Sequence, residues 1–148
     1  MPLETRHWIF AGLFLLIGLT LASGIKLDLP VSPDTQRMYD FIEGLPEGSV
    51  LLVSFDHEAS SLPEIQPITQ ALLRHCFEHK LRLVGLALMA EGTAIGYRLL
   101  RETAEEFGAE YGTDYVFLGF RPQYIAAILS MGESIRATFP EDYMGRPY

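Results

Sequence analysis

The sequence predicts an α/β fold: an N-terminal transmembrane helix, then a small three-layer α/β/α domain built on a parallel sheet of about three strands. Three observations carry this. Residues Trp8 to Ile25 (WIFAGLFLLIGLTLASGI) run for 18 positions without a charge. Beyond them lie three short apolar runs, each followed by apolar residues at helical spacing. Glycines and prolines punctuate the boundaries between them. Strands alternating with helices imply right-handed crossovers, hence parallel pairing with helices on both faces.

The apolar run comes first. At about 1.5 Å per residue it nearly spans a hydrocarbon core of roughly 30 Å. Trp8 at its edge suits an interfacial aromatic. The rival is a signal peptide, with Arg6 before the run and cleavage after Ala22-Ser23-Gly24. The run exceeds the usual signal-peptide core of about 7–15 residues, which favours an uncleaved signal anchor. This places the chain in the cell membrane as a single-pass protein contacting lipid through residues 8–25. One basic residue before the run (Arg6) and two after it (Lys26, Arg37) barely encode orientation. The soluble domain is expected on the extracytoplasmic side.

The remaining elements follow in order. Residues 1–7 are a flank, and residues 26–47 are a linker plus an amphipathic helix. Pro30 favours an extended linker over Lys26 to Val31. Ser32-Pro33-Asp34 then starts a helix: serine caps, proline fits the first turn, and aspartate complements the positive end. Met38, Phe41, Ile42 and Leu45 recur at helical spacing on a buried face, and Gly44 and Pro46 stop the helix. The α/β domain occupies residues 48–148. Val50 to Phe55 is expected to be a strand buried on both faces. A helix from Pro63 to His79 turns Ile65, Ile68, Leu72, Leu73 and Cys76 inward. Leu81 to Met89 is a second buried strand. A helix from Thr93 to Tyr111 buries Ile95, Leu99, Leu100 and Phe107, with Glu102, Glu105, Glu106 and Glu110 solvated and Gly112 as its stop. Tyr115 to Phe120 is a third strand, and one helix is expected over Gln123 to Ala137.

Composition narrows the partners. The chain holds 19 acidic and 11 basic residues. Setting aside Glu4 and Arg6 leaves 18 and 10 after Ile25, so the soluble part still carries −8. Such a surface repels phosphate backbones, which argues against nucleic acid. The single cysteine, Cys76, can form no internal disulfide and reads as a small buried apolar residue.

Open α/β sheets bind ligands beyond the carboxyl ends of their strands. Three segments meet there: Asp56-His57-Glu58-Ala59-Ser60-Ser61, Ala90-Glu91-Gly92-Thr93 and Arg121-Pro122-Gln123. The candidate rim is therefore Asp56, His57, Glu58, Ser60, Glu91, Gly92, Thr93, Arg121 and Gln123. Asp56 and Glu91 could hold Mg²⁺ through water, with His57 as base, which makes His57 and Asp56 the candidate catalytic residues. Arg121 could clamp an anion, and Thr93 with the free N–H groups of its helix could receive one. The plainer reading makes Thr93 a cap, Asp56 a turn cap and Arg121 the partner of a carboxylate.

Other motifs weigh less. His75-Cys-Phe-Glu78-His79 matches the H-x-x-E-H pattern of inverted zinc peptidases. Its helix end lies away from the rim and its glutamate points off the histidine edge, so a helix C-terminus with His75, His79 and Lys80 against the negative dipole is preferred. Gly92-Thr-Ala-Ile-Gly96 is neither a dinucleotide fingerprint nor a P-loop. His57 with Ser60 or Ser61 lacks the G-x-S-x-G elbow.

Asp28-Leu-Pro-Val-Ser-Pro-Asp-Thr-Gln36, Tyr111-Gly-Thr-Asp-Tyr-Val-Phe-Leu-Gly-Phe120 and Met131-Gly-Glu-Ser-Ile-Arg-Ala-Thr-Phe-Pro140 resemble an uncharacterised prokaryotic family of membrane-anchored, Rossmann-like α/β proteins. The resemblance implies this fold behind an anchor and brings no reaction, cofactor or catalytic residue. It also implies members that continue past the end of this chain. Glu141 to Tyr148 (EDYMGRPY) reads as a linker, so the chain is expected to be an N-terminal part, or one subunit of a homo- or hetero-oligomer whose neighbours complete the sheet.

Two functions follow. The favoured one is a non-catalytic binding or scaffold module with protein partners and no cofactor. The alternative is a Mg²⁺-assisted enzyme acting on a small anionic substrate at the rim.

Overall fold

The computed structural model describes residues 5–24 and 30–148; the expected linker from Lys26 falls largely outside the described residues. The chain divides into two compact units, Met1–Gln36 and Arg37–Tyr148. In the first, α1 (Thr5–Ala22) is 18 residues long, has no buried residue, and is long and apolar enough to cross a membrane. Ser32 caps α2 (Pro33–Glu43) as expected, its hydroxyl accepting from the Thr35 N–H at 3.2 Å, and the helix from Arg37 onward belongs to the second unit.

The second unit contains β1 (Val50–Ser54), α3 (Leu62–Glu78), β2 (Arg82–Ala87), α4 (Ala90–Glu106), β3 (Tyr115–Phe120), α5 (Tyr124–Glu133) and a single turn, α6 (Ile135–Thr138). The three strands are parallel in the order β1-β2-β3, with Leu52 beside Val84 and Val84 beside Val116. Two crossovers that step the same way carry their helices to the same face. The major core accordingly joins Leu51, Val53 and Phe55 of the β1 side, Leu83 and Ala87 of β2, and Tyr115 and Phe117 of β3 to Leu73, Cys76 and Phe77 of α3 and Leu99, Leu100 and Ala104 of α4. Ile42 of α2 closes it.

The opposite face is covered only in part. Leu86, Val116 and Leu118 lie under Phe139, with Met131 and Tyr148 beside them. Among the described residues, nothing covers β1 there: Val50 is 63 % and Leu52 44 % exposed. The expectation of a strand buried on both faces fails, because the helical layer of this face reaches only the β3 side.

Three boundaries differ from expectation, each for a local reason. Helix α4 ends at Glu106, since Gly108 takes the left-handed conformation (φ +66°) that closes it. That leaves Phe107 exposed. The start of α4 at Ala90 makes Thr93 a first-turn residue and not a cap. Ser134 is extended and caps α6 through the Ala137 N–H (3.1 Å), which breaks the single expected helix into two. Finally, Ile65 and Ile68 of α3, Met38 and Phe41 of α2 and Ile125, Ile128 and Leu129 of α5 are exposed. Each helix presents a narrower buried stripe than its apolar residues suggest.

The C-terminus of α3 closes in a Schellman arrangement, with Leu81 N–H bonded to the Cys76 carbonyl and Lys80 N–H to that of Phe77, both at 2.9 Å. Lys80 occupies the left-handed position (φ 53°) that glycine usually fills. Left-handed backbone costs a residue with a Cβ roughly 1–2 kcal/mol. Lys80→Gly therefore stabilises the domain by about 0.5 kcal/mol after the entropy of an added glycine is deducted. The exposed Lys80–Glu47 pair (3.1 Å) that it removes contributes little. A urea midpoint that fell would contradict this.

Candidate functional site

The expected rim residues follow the ends of the three strands, and three of them, Asp56, His57 and Arg121, spend their side chains on internal contacts. Asp56 Oδ1 accepts from the Leu88 N–H (2.7 Å) and the Met89 N–H (3.0 Å), and Oδ2 accepts from the Ser54 hydroxyl (2.6 Å). The carboxylate thus ties the end of β1 to the loop that opens α4. His57 is buried, 3 % exposed, with Nε2 3.0 Å from Thr69 Oγ1 of α3 and its ring 6.0 Å from that of Phe55. A base so placed faces the α3 layer and not an incoming substrate.

The other rim positions divide similarly. Glu58 supplies its carbonyl to the Ser61 N–H and hydroxyl, both at 3.1 Å, at the start of α3, and Ser60 is exposed. Glu91 is exposed in the first turn of α4. Gly92 is there because of the close approach of α4 to β1: a Cβ would overlap the Phe55 carbonyl oxygen and lie 2.9 Å from the His57 nitrogen. Thr93 Oγ1 and His57 Nδ1 are buried without a hydrogen-bond partner among the described residues. Arg121 pairs with no carboxylate among the described residues; its Nε donates to the Thr138 carbonyl (2.6 Å) and its guanidinium lies 5.1 Å over the Phe139 ring. Gln123 is exposed and left-handed (φ 58°) at the start of α5. Among the described residues, no three of His, Cys, Asp or Glu gather as metal ligands.

Topology sets which way the helices leave the strand ends. A ligand cleft opens at the carboxyl ends where neighbouring crossovers go to opposite faces. Here the two crossovers, through α3 and α4, go to the same face, so no such reversal lies between β1 and β2.

The H-x-x-E-H histidines serve another helix. His75 Nε2 lies 2.9 Å from Glu43 Oε1, and its ring stacks on Tyr39 with centroids 4.5 Å apart. His79 donates Nε2 to the Leu45 carbonyl at 3.1 Å. Both clamp the end of α2 onto α3, and the bond from His75 holds the Glu43 carboxyl below its usual range. Cys76, wholly buried, has its thiol pushed up to about 11 by burial. At pH 8 it should resist a disulfide reagent until the domain unfolds, and labelling of the native protein within minutes would contradict that.

What the sequence concealed lies on the uncovered face. Val50, Leu52, Arg82 and Val84 stand side by side there, because Val50 is paired with Arg82 and Leu52 with Val84. Where the sheet meets residues 142–148, a groove of about 240 Å³ is lined by Val50, Arg82, Val84, Val116, Arg146 and Tyr148 among others. Helix α5 adds a second uncovered apolar strip, Tyr124, Ile125, Ile128 and Leu129, the last 69 % exposed. One signal was available: Arg82 interrupts an otherwise apolar run, which marks the solvent side of its strand. No family model, curated protein or solved structure matches the chain.

Proposed function

We propose that the chain is a membrane-held α/β binding module, a subunit of a larger membrane-associated assembly, which binds protein neighbours and performs no chemistry of its own. The observation that carries the reading is the bare apolar face of the sheet at Val50 and Leu52. A strand edge flanked by exposed apolar side chains invites a partner. It is supported by the employment of Asp56 and Arg121 in internal hydrogen bonds. The apolar helix α1 would hold the module at a bilayer, as a single-pass anchor with the domain on the extracytoplasmic side.

The test is purification of the full chain in mild detergent, followed by mass determination of the intact particle. The expected result is a particle with more than one polypeptide, dissociated by Leu52→Asp while circular dichroism stays unchanged. A monomer carrying a stoichiometric divalent ion would overturn the reading in favour of metal-assisted chemistry.

A further inference from the structure

We infer that the occupant of the open sheet face is helix α5 of a second copy of this chain, with its Glu133 carboxylate meeting Arg82 and Arg146. The inference rests on the reading above, that this face binds protein, and adds the identity of what binds.

Two uncovered apolar surfaces sit on one compact unit, and their charges are opposite. The receiving surface is Val50, Leu52 and Val84 with the adjoining groove, and it carries Arg82 and Arg146. In a chain of net charge −8, carboxylates are plentiful, and several arginines outside the groove find partners. Arg74 pairs with Glu106 at 2.8 Å and Arg101 with Glu105 at 3.6 Å. Arg121 and Arg136 donate to the carbonyls of Thr138 and Tyr148. Arg82 and Arg146 are exposed, and neither makes an ion pair among the described residues. Arg146 rests over the Tyr111 ring at 5.4 Å, and the nearby Asp142 oxygens are already taken by the Tyr111 hydroxyl and two backbone amides.

The inserting surface complements it. Ile125 and Leu129 are one turn apart, and Glu133 follows one turn later on the same side of α5. Glu133 is exposed and has no side-chain hydrogen bond or ion pair among the described residues. An apolar strip ending in an unpaired carboxylate therefore matches an apolar strip bordered by unpaired guanidiniums. Electrostatic matching of this kind fixes orientation and suppresses wrong partners. An anionic lipid headgroup could also meet the arginines, but the acidic domain would repel a surface of such headgroups. Each copy carries one surface of each kind, so contacts either pair reciprocally about a two-fold axis or repeat head to tail.

The experiment uses the full chain in detergent micelles, with detergent-corrected light scattering across a concentration series. The wild type should associate at micromolar concentration. Arg82→Glu and Glu133→Arg, both at exposed positions, should each weaken association by about tenfold or more. Mixing the two variants should restore it. The carboxylate introduced at position 82 of one variant then faces the guanidinium introduced at position 133 of the other, and the native Arg82 and Glu133 face each other in the second contact. Association through α1 would ignore both changes. Wild-type assembly unaffected by either charge reversal, or two weakened variants that the mixture does not rescue, would overturn the inference. If the wild type stays monomeric to about 100 μM, the second copy is also wrong. The protein-binding reading would survive either result only if a different protein copurifies and Leu52→Asp releases it.

Discussion

Asp142→Ala should cost about 3 kcal/mol and lower the melting temperature by roughly 10 °C. The residue lies in Glu141 to Tyr148, the stretch whose sequence resembles a linker. Its side chain is buried and satisfies three donors: Oδ2 accepts from the Tyr111 hydroxyl (2.8 Å), and Oδ1 from the N–H groups of Met144 (2.9 Å) and Arg146 (2.7 Å). Those bonds fold residues 142–146 into a tight loop, also closed by the Asp142 N–H on the Arg146 carbonyl. The loop then serves the sheet. The Tyr143 N–H donates to the Phe117 carbonyl (2.7 Å), covering part of the outer edge of β3, and the Tyr143 ring meets those of Phe117 and Tyr97. Alanine would strand a phenol and two amides in a half-dry position, which is where lost hydrogen bonds cost most. Thermal denaturation followed by circular dichroism measures this; a shift under about 3 °C would mean that water replaces the carboxylate at little cost.

The same carboxylate predicts the pH response. Burial works to raise its pKa, but the bonds from Arg146, Tyr111 and Met144 outweigh that and hold it below the ordinary range. A carboxylate depressed in the folded state stabilises above its unfolded pKa, about 3.9, and loses that contribution as pH falls through the folded value. Glu43, held low first by its bond from His75, acts in the same direction. Tyr111 works at the other extreme. Burial and its bond to Asp142 raise its pKa, so its contribution is intact below pH about 10 and is lost above it. Asp142→Asn should therefore flatten the acid limb of a stability–pH curve, and an unchanged limb would count against the assignment.

How legible each part was depended on the range of the interaction that decides it. Tyr115 to Phe120 was expected and found residue for residue, since strand identity rests on a local apolar run between turn residues. The capped start of α2 was likewise written within four residues. Which face of β1 stays bare was not, because that depends on strand order, and order is set by crossovers that no local pattern records. Chain order puts the rim residues at the strand ends, yet residue types alone cannot tell a carboxylate open to solvent from one that bonds the amides of Leu88 and Met89. The histidine pair shows the same limit: spacing puts His75 and His79 on one helix edge, and only the neighbouring α2 decides what they bind. Gly108 is a different case. It was readable as a helix stop, but Gly112 four residues later is an equally good one.

Gly92→Ala should be more damaging than any change to a polar rim residue, costing about 4 kcal/mol or more, enough to leave little folded protein in a domain of ordinary stability. A Cβ at this position would overlap the Phe55 carbonyl oxygen and crowd Phe55 C and His57 N, both at 2.9 Å. All three are backbone atoms at the end of β1, so no rotamer change relieves the overlap. Moving α4 away is the only escape. That would draw Leu99 and Leu100 from the core and break the two amide bonds by which Asp56 fixes the loop before the helix. Gly96, one turn on, sets the same separation, since a Cβ there would collide with the Phe55 side chain. A trimmed partner separates the two cases: Phe55→Gly removes the Cβ and ring that block position 96 but leaves the carbonyl that blocks position 92. In the Phe55→Gly background, Gly96→Ala should become nearly neutral while Gly92→Ala stays severe. If chemical denaturation gave both alanines the same cost in that background, backbone contact at Gly92 could not be what fixes the approach of α4. The glycine nearest the expected ligand rim would then need a reason outside packing.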